Sequence, residues 1–330
     1  MLEHGGRLRA AAQRYGIAEA DWLDLSTGIA PYGWALPAIP SAAWARLPER
    51  EDGLEAAARR FYGCVSLLPV AGSQAAIQAL PRLRARSRVG VISPCYAEHA
   101  HAWRREGHEL EELDSATAER ELDRFDVLLV VNPNNPTGQR LAPETLMEWR
   151  ARLAERGGWL LVDEAFMDCT PQQSLAGHCP LPGLVVLRSF GKFFGLAGIR
   201  LGFVLADAAL LGRLEELLGP WSVSGPAREL AKALLQDEAG QARQRQALLR
   251  DGQRLDSLLR DCGLAPAGGT ALFQRLVRDD AVALHEFLAA RGILTRLFAT
   301  PPSLRFGLPP DEAGWARLGQ ALIDYSKEHP

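Results

Sequence analysis

Lysine is scarce in this sequence of 330 residues, in which lysine and arginine together number 37. The only lysines are Lys192, Lys232 and Lys327. Lys192 lies in a run of Gly, Phe, Leu and Ala that contains no carboxylate. An ammonium group there is poorly solvated, which favours the neutral amine, and a neutral amine can attack a carbonyl carbon to form a Schiff base. On this stretch alone, a surface lysine at the end of a strand is the alternative interpretation.

Paired cysteines and long apolar runs are also missing. The five cysteines are an odd number without a CxxC pair, so neither a disulfide framework nor a zinc site is indicated. Cys95 lies in Ser-Pro-Cys-Tyr, which carries no signature of a cysteine nucleophile. No apolar run approaches the about 18 residues of a membrane-spanning helix, and Met-Leu-Glu-His-Gly-Gly does not read as a signal peptide. We therefore expect a cytoplasmic protein.

The charge balance excludes some classes of partner. The net charge of -3 is spread without blocks, which argues against nucleic acid or an anionic membrane surface as the main partner. With 47% hydrophobic and 23% charged residues, the chain is long enough for one large core and a smaller lobe. The positive charge is almost all arginine, a side chain suited to bidentate recognition of phosphate and carboxylate.

Short apolar runs separated by helical periodicity predict an α/β fold with a largely parallel sheet, whose strands are buried on both faces. The predicted strands of this sheet are 89–92, 126–131, 159–162, 184–187 and 202–205. Four of them are followed by side chains suited to chemistry, namely Tyr96, Asn135, Asp163 and Lys192. Since ligands of open α/β sheets bind outside the carboxyl ends of the strands, we expect these four side chains at one edge.

Two further segments could bind anions. Gly72-Ser73-Gln74 reads as a turn that opens a helix, and its N–H groups with the Ser73 hydroxyl would suit a phosphate. Structural capping of the helix is the better interpretation of this turn in isolation. The N-terminal His4-Gly5-Gly6 is either a frayed end or a mobile anion-binding segment.

Taken together, these residues suit pyridoxal phosphate. Its pyridine nitrogen must stay protonated for the ring to accept electrons, and a buried Asp163 would ensure this by charge pairing. Asn135 could donate to the 3-oxygen, and Tyr96 could cover one face of the ring. The phosphate could be bound by Gly72, Ser73, Gln74, Ser189 and Arg200. Singly, Asp163 and Asn135 could be turn residues and Arg200 a solvated strand end.

The sequence resembles the fold-type I pyridoxal-phosphate enzymes of the class I/II aminotransferase superfamily over essentially the whole chain. The motifs that carry the resemblance are Asn134-Asn135-Pro136-Thr137-Gly138, Val162-Asp163-Glu164-Ala165, and Ser189-Phe190-Gly191-Lys192 through Arg200. The resemblance implies that Lys192 forms the Schiff base, Asp163 pairs with the pyridine nitrogen and Asn135 binds the 3-oxygen. It also implies that Arg305 grips the substrate carboxylate.

Within the superfamily the chain resembles the threonine-phosphate decarboxylases of cobalamin biosynthesis, and next the histidinol-phosphate aminotransferases. His4-Gly5-Gly6 is similar to the decarboxylases' N-terminal phosphate-contacting motif, and residues 23–29 to the segment that follows it. Phe166 stands where aminotransferases usually have a tyrosine. The resemblance implies decarboxylation of O-phospho-L-threonine to (R)-1-aminopropan-2-yl phosphate, with substrate contacts from His4, Gly5, Thr27, Gly28, Asn135, Arg296 and Arg305. The alternatives are an aminotransferase of a phosphorylated amine, or a catalytically idle protein of this fold.

The resemblance also implies a homodimer of two-domain subunits. We expect a large cofactor-binding domain over residues 36–222 and a small domain formed by residues 1–35 and 223–330. Relatives often have a tyrosine that reaches the cofactor phosphate of the neighbouring subunit, but this chain has Leu47 at that place. The cross-subunit contact through this residue is therefore in doubt, although dimerisation itself is not excluded.

Overall fold

A computed structural model describes residues 4–329, which form two compact units. Unit 1 comprises the described residues up to Gly33, Pro136–Gly138 and the chain from Gln246 onward, and unit 2 comprises Trp34–Asn135 and Gln139–Arg245. The predicted small domain also joins both termini, but it begins its second part at residue 223. The structure keeps residues 223–245 in unit 2, because the helix at Gly225–Gln236 packs against the helix at Leu54–Tyr62.

The described residues contain thirteen strands and thirteen α-helices. In chain order the strands are β1 Leu23–Asp24, β2 Leu68–Val70, β3 Arg88–Ile92, β4 Glu109–Leu113, β5 Val127–Val131, β6 Trp159–Asp163, β7 Leu184–Ser189, β8 Gly202–Leu205, β9 Gly268–Thr270, β10 Phe273–Val277, β11 Ile293–Leu294, β12 Arg296–Phe298 and β13 Ser303–Gly307. The helices are α1 Leu8–Tyr15, α2 Ser41–Ala45, α3 Leu54–Tyr62, α4 Ser73–Ala79, α5 Glu98–Arg105, α6 Ser115–Glu121, α7 Pro143–Ala154, α8 Phe190–Phe193, α9 Ala208–Leu218, α10 Gly225–Gln236, α11 Glu238–Asp261, α12 Ala281–Ala289 and α13 Glu312–Glu328.

Unit 2 is built on a seven-stranded sheet in the order β2-β8-β7-β6-β5-β3-β4. The strands β7, β6, β5, β3 and β4 are parallel to one another, and β8 runs antiparallel to both β7 and β2. All five residues of β5 are buried, as expected of a central strand covered on both faces. The predicted α/β fold with a largely parallel central sheet is confirmed.

Unit 1 contains a four-stranded antiparallel sheet in the order β12-β13-β10-β9, and β1 pairs in parallel with β11. Its helices are α1, α12 and α13, with the part of α11 that lies beyond the unit boundary. Asp311 caps α13 by accepting a hydrogen bond from the Gly314 N–H at 2.8 Å. In the part of the chain that the structure describes, no helix is long and apolar enough to cross a membrane.

Three elements differ from the sequence predictions. Strand β4 was not predicted, because Glu109, Glu111 and Glu112 break the apolar pattern of an edge strand that has a neighbour on one side only. In the sequence, residues 293–297 read as one strand, but the structure has two, since β11 pairs with β1 whereas β12 pairs with β13. Helical periodicity in the sequence resumes after Pro226 and runs to about Leu259, and in the structure this stretch is two helices, α10 and α11, which are separated at Asp237.

Candidate active site

The topology of unit 2 brings the predicted cofactor residues to one edge of the seven-stranded sheet. Parallel strands end at the same edge, so the segments after β3, β5, β6 and β7 lie there together. Because β8 is antiparallel to β7, its first residue pairs with the last residue of β7, and the end of β2 lies beside it. This edge therefore carries all the cofactor residues predicted in unit 2, namely Gly72, Ser73, Gln74, Tyr96, Asn135, Asp163, Ser189, Lys192 and Arg200.

Asp163 is the last residue of β6 and is buried. Its Oδ2 atom lies 2.8 Å from Nε2 of the buried His99, and its Oδ1 atom accepts a hydrogen bond from the Ala165 N–H at 3.0 Å. A buried carboxylate with both oxygens engaged is held in one orientation. His99 was not predicted as a site residue, although it lies three residues after Tyr96 at the start of α5, a spacing typical of one helix face.

Tyr96 is held by a chain of hydrogen bonds that runs through Gln74 to Glu98. Its hydroxyl donates to Gln74 Oε1 at 3.2 Å, and Gln74 Nε2 donates to Glu98 Oε2 at 2.8 Å. Gln78 Nε2 donates to the same Glu98 oxygen at 3.0 Å. Burial, and then the charges of Glu98 and Asp163, raise the pKa of Tyr96 to about 12. The phenol therefore stays protonated at neutral pH, and Gln74 contributes its side chain to fixing the ring.

Gly72 and Arg200 are in close contact beside β8. A Cβ atom on Gly72 would lie 2.5 Å from Nη2 of Arg200, so the arginine would have to move, and the φ of 74° strains any larger residue. The Gly72 N–H already donates to the Val70 carbonyl at 2.7 Å. The Ser73 and Gln74 N–H groups lie in the first turn of α4, where no intrahelical acceptor exists. These two amides, rather than that of Gly72, are therefore the ones that could donate to an anion beside Arg200.

Lys192 lies in the single turn α8, directly after β7, and its side chain is partly buried. Its Nζ atom lies 5.8 Å from the centroid of the Phe166 ring, which follows β6 and is buried. The ring gives the amine an apolar neighbour, and its face also attracts the ammonium form. The end of the neighbouring strand β6 therefore contributes to the surroundings of Lys192.

A buried ionic network joins the segments that carry Asp163 and Lys192. Arg188 lies on β7 and contacts Glu164 at 2.5 Å and also Asp168, and all three side chains are buried. Glu164 Oε1 also accepts the Leu175 N–H at 2.7 Å. Since Glu164 follows Asp163 and Arg188 precedes Ser189, the network fixes the ends of β6 and β7 relative to each other.

The predicted substrate residues of unit 1 also lie together. Arg305 and Arg296 are directly opposed on β13 and β12, and Arg305 Nη2 donates to the Ser26 carbonyl at 3.1 Å. Gly5 lies against the same carbonyl, and the Gly6 N–H donates to Ser26 Oγ at 2.8 Å. Residues 26–28 therefore lie between the N-terminal segment with His4 and the strand with Arg305. Burial, and then the charge of Arg296, lower the pKa of Arg305 to about 10.

Comparisons with known proteins agree with this geometry. The sequence profile of the family described as aminotransferase class I and II matches residues 21–320. The chain belongs to the class I and II aminotransferase family. A threonine-phosphate decarboxylase from Pseudomonas aeruginosa is 64% identical to this family member over 327 residues, which cover 99% of both chains. A threonine-phosphate decarboxylase from Sinorhizobium sp. is 47% identical over 331 residues, which cover 97% of both chains.

A solved structure has the same fold. It is the histidinol-phosphate aminotransferase from Sinorhizobium meliloti in complex with pyridoxal-5'-phosphate, with a TM-score of 0.79 and 20% sequence identity. The match covers 100% of this chain and 96% of that chain. At this identity the similarity concerns the fold, so the roles of individual residues in this family member depend on its own geometry.

The residues at the sheet edge fit pyridoxal phosphate. The buried Asp163 suits a protonated ring nitrogen, and Arg200 beside the first turn of α4 suits a phosphate. Lys192 supplies an amine for the carbonyl carbon, and Asn135 and Tyr96 follow neighbouring strands. Among the described residues, no group of three or more His, Cys, Asp or Glu side chains could hold a metal ion. The individual roles of these residues stay predictions.

Proposed function

We propose that the protein is a pyridoxal-phosphate-dependent decarboxylase. It converts O-phospho-L-threonine to (R)-1-aminopropan-2-yl phosphate and carbon dioxide, a reaction of cobalamin biosynthesis. The observation that carries this proposal is the 64% identity to a threonine-phosphate decarboxylase over nearly the whole of both chains. The fold alone would not distinguish a decarboxylase from a histidinol-phosphate aminotransferase, because both occur among the structural neighbours.

Unit 2 provides the residues that hold the cofactor. Lys192 would hold its carbonyl carbon and Asp163 its pyridine nitrogen, with Asn135 at the 3-oxygen and Tyr96 against the ring. Its phosphate would be bound by the hydroxyl of Ser189, the guanidinium of Arg200 and the amides of Ser73 and Gln74. When bound, pyridoxal phosphate withdraws the electrons of the Cα bond that stands perpendicular to its ring. Asp163, whose orientation His99 and Ala165 fix, would keep the ring nitrogen charged for this purpose.

Unit 1 provides the groups that orient the substrate. Arg305 and Arg296 would bind its anionic groups, because paired guanidinium groups suit carboxylate and phosphate oxygens. Decarboxylation requires the carboxylate to stand out of the ring plane, whereas transamination requires the Cα–H bond there. Holding the carboxylate is the role proposed for Arg305, and the orientation in which the carboxylate is held decides which bond breaks. Lys192 or a water would return a proton to Cα once carbon dioxide has left.

The reaction type is tested by incubating the holoenzyme with O-phospho-L-threonine, with and without 2-oxoglutarate. Carbon dioxide and glutamate are both assayed. We expect carbon dioxide in equal amounts with and without the oxo acid, and no glutamate. Glutamate without carbon dioxide would identify an aminotransferase, for which histidinol phosphate is the next substrate to try. If neither product forms, the substrate assignment is overturned.

We also propose that the enzyme is a cytoplasmic homodimer. Three large apolar side chains are exposed within one short segment of unit 2, with exposed fractions of 54% for Leu36, 69% for Trp44 and 63% for Leu47. Large apolar side chains exposed in one segment are typical of an interaction surface, so we expect this segment to contact a second copy. Sedimentation equilibrium of the holoenzyme tests this, and Trp44→Lys should shift the protein towards the monomer.

A further inference from the structure

One cavity of unit 2 is lined by three buried residues that each carry a polar atom without a hydrogen-bond partner among the described residues. The atoms are Tyr62 Oη, Asp168 Oδ2 and Arg188 Nε. The exposed fractions of these residues are 7%, 3% and 2%. Buried polar atoms in proteins are nearly always paired, so three such atoms around one cavity indicate that something polar binds there.

The cavity is separate from the predicted cofactor site, because none of the cofactor residues predicted from the sequence lines it. It is formed by the ends of α3 and α10, the segment after β6, strand β7 and the start of α11. Its volume is about 180 Å³. This is well above the space that one water needs and below the about 300–1,000 Å³ of pockets for drug-sized ligands. A small molecule of several non-hydrogen atoms therefore fits.

Arg188 and Asp168 form the polar floor of the cavity and use only part of their hydrogen-bonding capacity. Arg188 Nη1 donates to Glu164 and Ser174, and Nη2 donates to Asp168 Oδ1. The donor Nε and the acceptor Oδ2 remain. They lie near each other, because the two side chains are in contact through Nη2 and Oδ1. A ligand that satisfies both atoms must carry an acceptor and a donor on neighbouring groups.

Arg245 adds a cation that is not balanced by a carboxylate. It lines the cavity from α11, and its Nε donates to the backbone carbonyl of Asp168 at 3.0 Å. Burial raises the pKa of Asp168, and the charges of Arg188 and then Arg245 oppose this rise, so Arg245 is near the carboxylate. The other arginine at the cavity, Arg60, pairs with Glu238 at 2.7 Å. The cavity therefore offers one guanidinium to an anionic group and one carboxylate oxygen to a cationic group.

Tyr62 supplies a further donor on the same side as Arg188. The Arg188 guanidinium lies over the Tyr62 ring, 4.7 Å from its centroid. Burial, and then the charge of Asp168, raise the pKa of Tyr62 well above its usual value. The hydroxyl therefore stays protonated at neutral pH and can donate to an anionic group.

We propose that this cavity binds a small α-amino acid in its zwitterionic form. The ammonium group donates to Asp168 Oδ2. The carboxylate accepts from Arg188 Nε, Tyr62 Oη and Arg245. An α-amino acid carries its two charged groups on one carbon, which suits an acceptor and a donor held near each other. A zwitterion also adds no net charge to a buried ionic network, where an unbalanced charge is strongly unfavourable. The inference does not depend on the proposed reaction.

The test uses sarcosine (N-methylglycine) as the probe, because a secondary amine forms no neutral imine with the cofactor. The matched probe is butyrate, in which a methylene group replaces the ammonium group. Isothermal titration calorimetry of the holoenzyme should show binding of sarcosine at least about tenfold tighter than that of butyrate, as for one charged hydrogen bond. The cofactor absorption band should not change. No binding of sarcosine would overturn the proposal and leave water as the occupant, and equal binding of butyrate would overturn the zwitterion.

Two variants show whether the probe binds in this cavity. Arg245→Gln should raise the Kd of sarcosine by about 10- to 100-fold, because a charged contact is lost. Tyr62→Phe should raise it several-fold. Without sarcosine, the urea midpoint of Tyr62→Phe should not fall, since the hydroxyl has no partner among the described residues.

The matched control is Arg243→Gln, because Arg243 is an exposed residue of α11 that does not line the cavity. This variant should bind sarcosine as the wild type does. An unchanged Kd in both Arg245→Gln and Tyr62→Phe would overturn the proposal, because the probe would then bind elsewhere. An equal rise of Kd in Arg243→Gln and Arg245→Gln would also overturn it, because the effect would then come from the general charge of the helix.

Discussion

The Nε2 atom of His99 lies 2.8 Å from Oδ2 of Asp163, and both side chains are buried. The other oxygen of Asp163 accepts the Ala165 N–H, so one of the two contacts that orient the carboxylate depends on a side chain. His99 lies on α5 and Asp163 on β6, 64 residues further along the chain. The carboxylate proposed to keep the cofactor nitrogen charged is therefore positioned by a side chain of helix α5, and not only by the segment that carries it.

Replacing His99 should weaken the cofactor site. In His99→Ala we expect the affinity for pyridoxal phosphate to fall about tenfold and the free energy of unfolding to fall by about 1–3 kcal/mol, because a buried carboxylate oxygen loses its partner. Equilibrium dialysis and urea unfolding measure the two effects. The matched control is His108→Ala, since His108 is also buried and its Nε2 bonds to the Pro81 carbonyl. Equal loss of cofactor affinity in both variants would contradict a specific role for His99.

Lys192→Ala should abolish decarboxylation while pyridoxal phosphate still binds without a covalent bond. The reason is that Asp163 and Arg200 are unchanged, whereas the amine that attacks the carbonyl carbon is gone. Borohydride reduction followed by mass spectrometry should find the cofactor attached to the wild type and not to the variant. Lys232→Ala is the control, because Lys232 pairs with Glu229 on α10 and should leave turnover unchanged. Turnover by Lys192→Ala at the wild-type rate would contradict the assignment of Lys192 as the lysine that forms the Schiff base.

Phe166→Tyr should change the acidity of the lysine–cofactor linkage. The Phe166 ring lies 5.8 Å from Lys192 Nζ, so a phenol there adds a hydrogen-bond donor beside the reactive centre. A donor that stabilises the deprotonated linkage should lower its pKa by about one unit, which a spectrophotometric titration of the holoenzyme measures. Carbon dioxide should remain the product, since the carboxylate contacts do not change. A titration that superimposes on that of the wild type would show that Phe166 has no part in this pKa.

Arg188→Met should destabilise unit 2 strongly. The change leaves Glu164 and Asp168 as buried carboxylates without their common cation, which costs about 3–5 kcal/mol of the free energy of unfolding. Urea unfolding measures the loss. Arg86→Gln is the comparison, because the ion pair of Arg86 with Glu109 is exposed and should contribute less than about 1 kcal/mol. If both variants lose the same free energy, the buried network is not a main source of stability.

The fold class and the order of the functional motifs were predictable from the sequence. Buried parallel strands such as β5 are apolar at every position, and each is followed at once by the residues of one motif. That pattern is local and needs no knowledge of strand partners. Strand β4 was not predictable in this way, because three glutamates on an edge strand give no apolar signal. The predicted strand 293–297 is divided for a similar reason, since its two halves pair with strands from different parts of the chain.

The sequence by itself determined which chemistry is present: one lysine in an apolar run, and an aspartate, an asparagine and a tyrosine after successive strands. These features depend on short stretches of chain and on the regular alternation of strands and helices. Only the tertiary structure decided which groups support them. His99 contacts Asp163, and Arg296 lies opposite Arg305, through strand order and register. Such contacts join residues far apart in sequence, so no local pattern of residue types contains them.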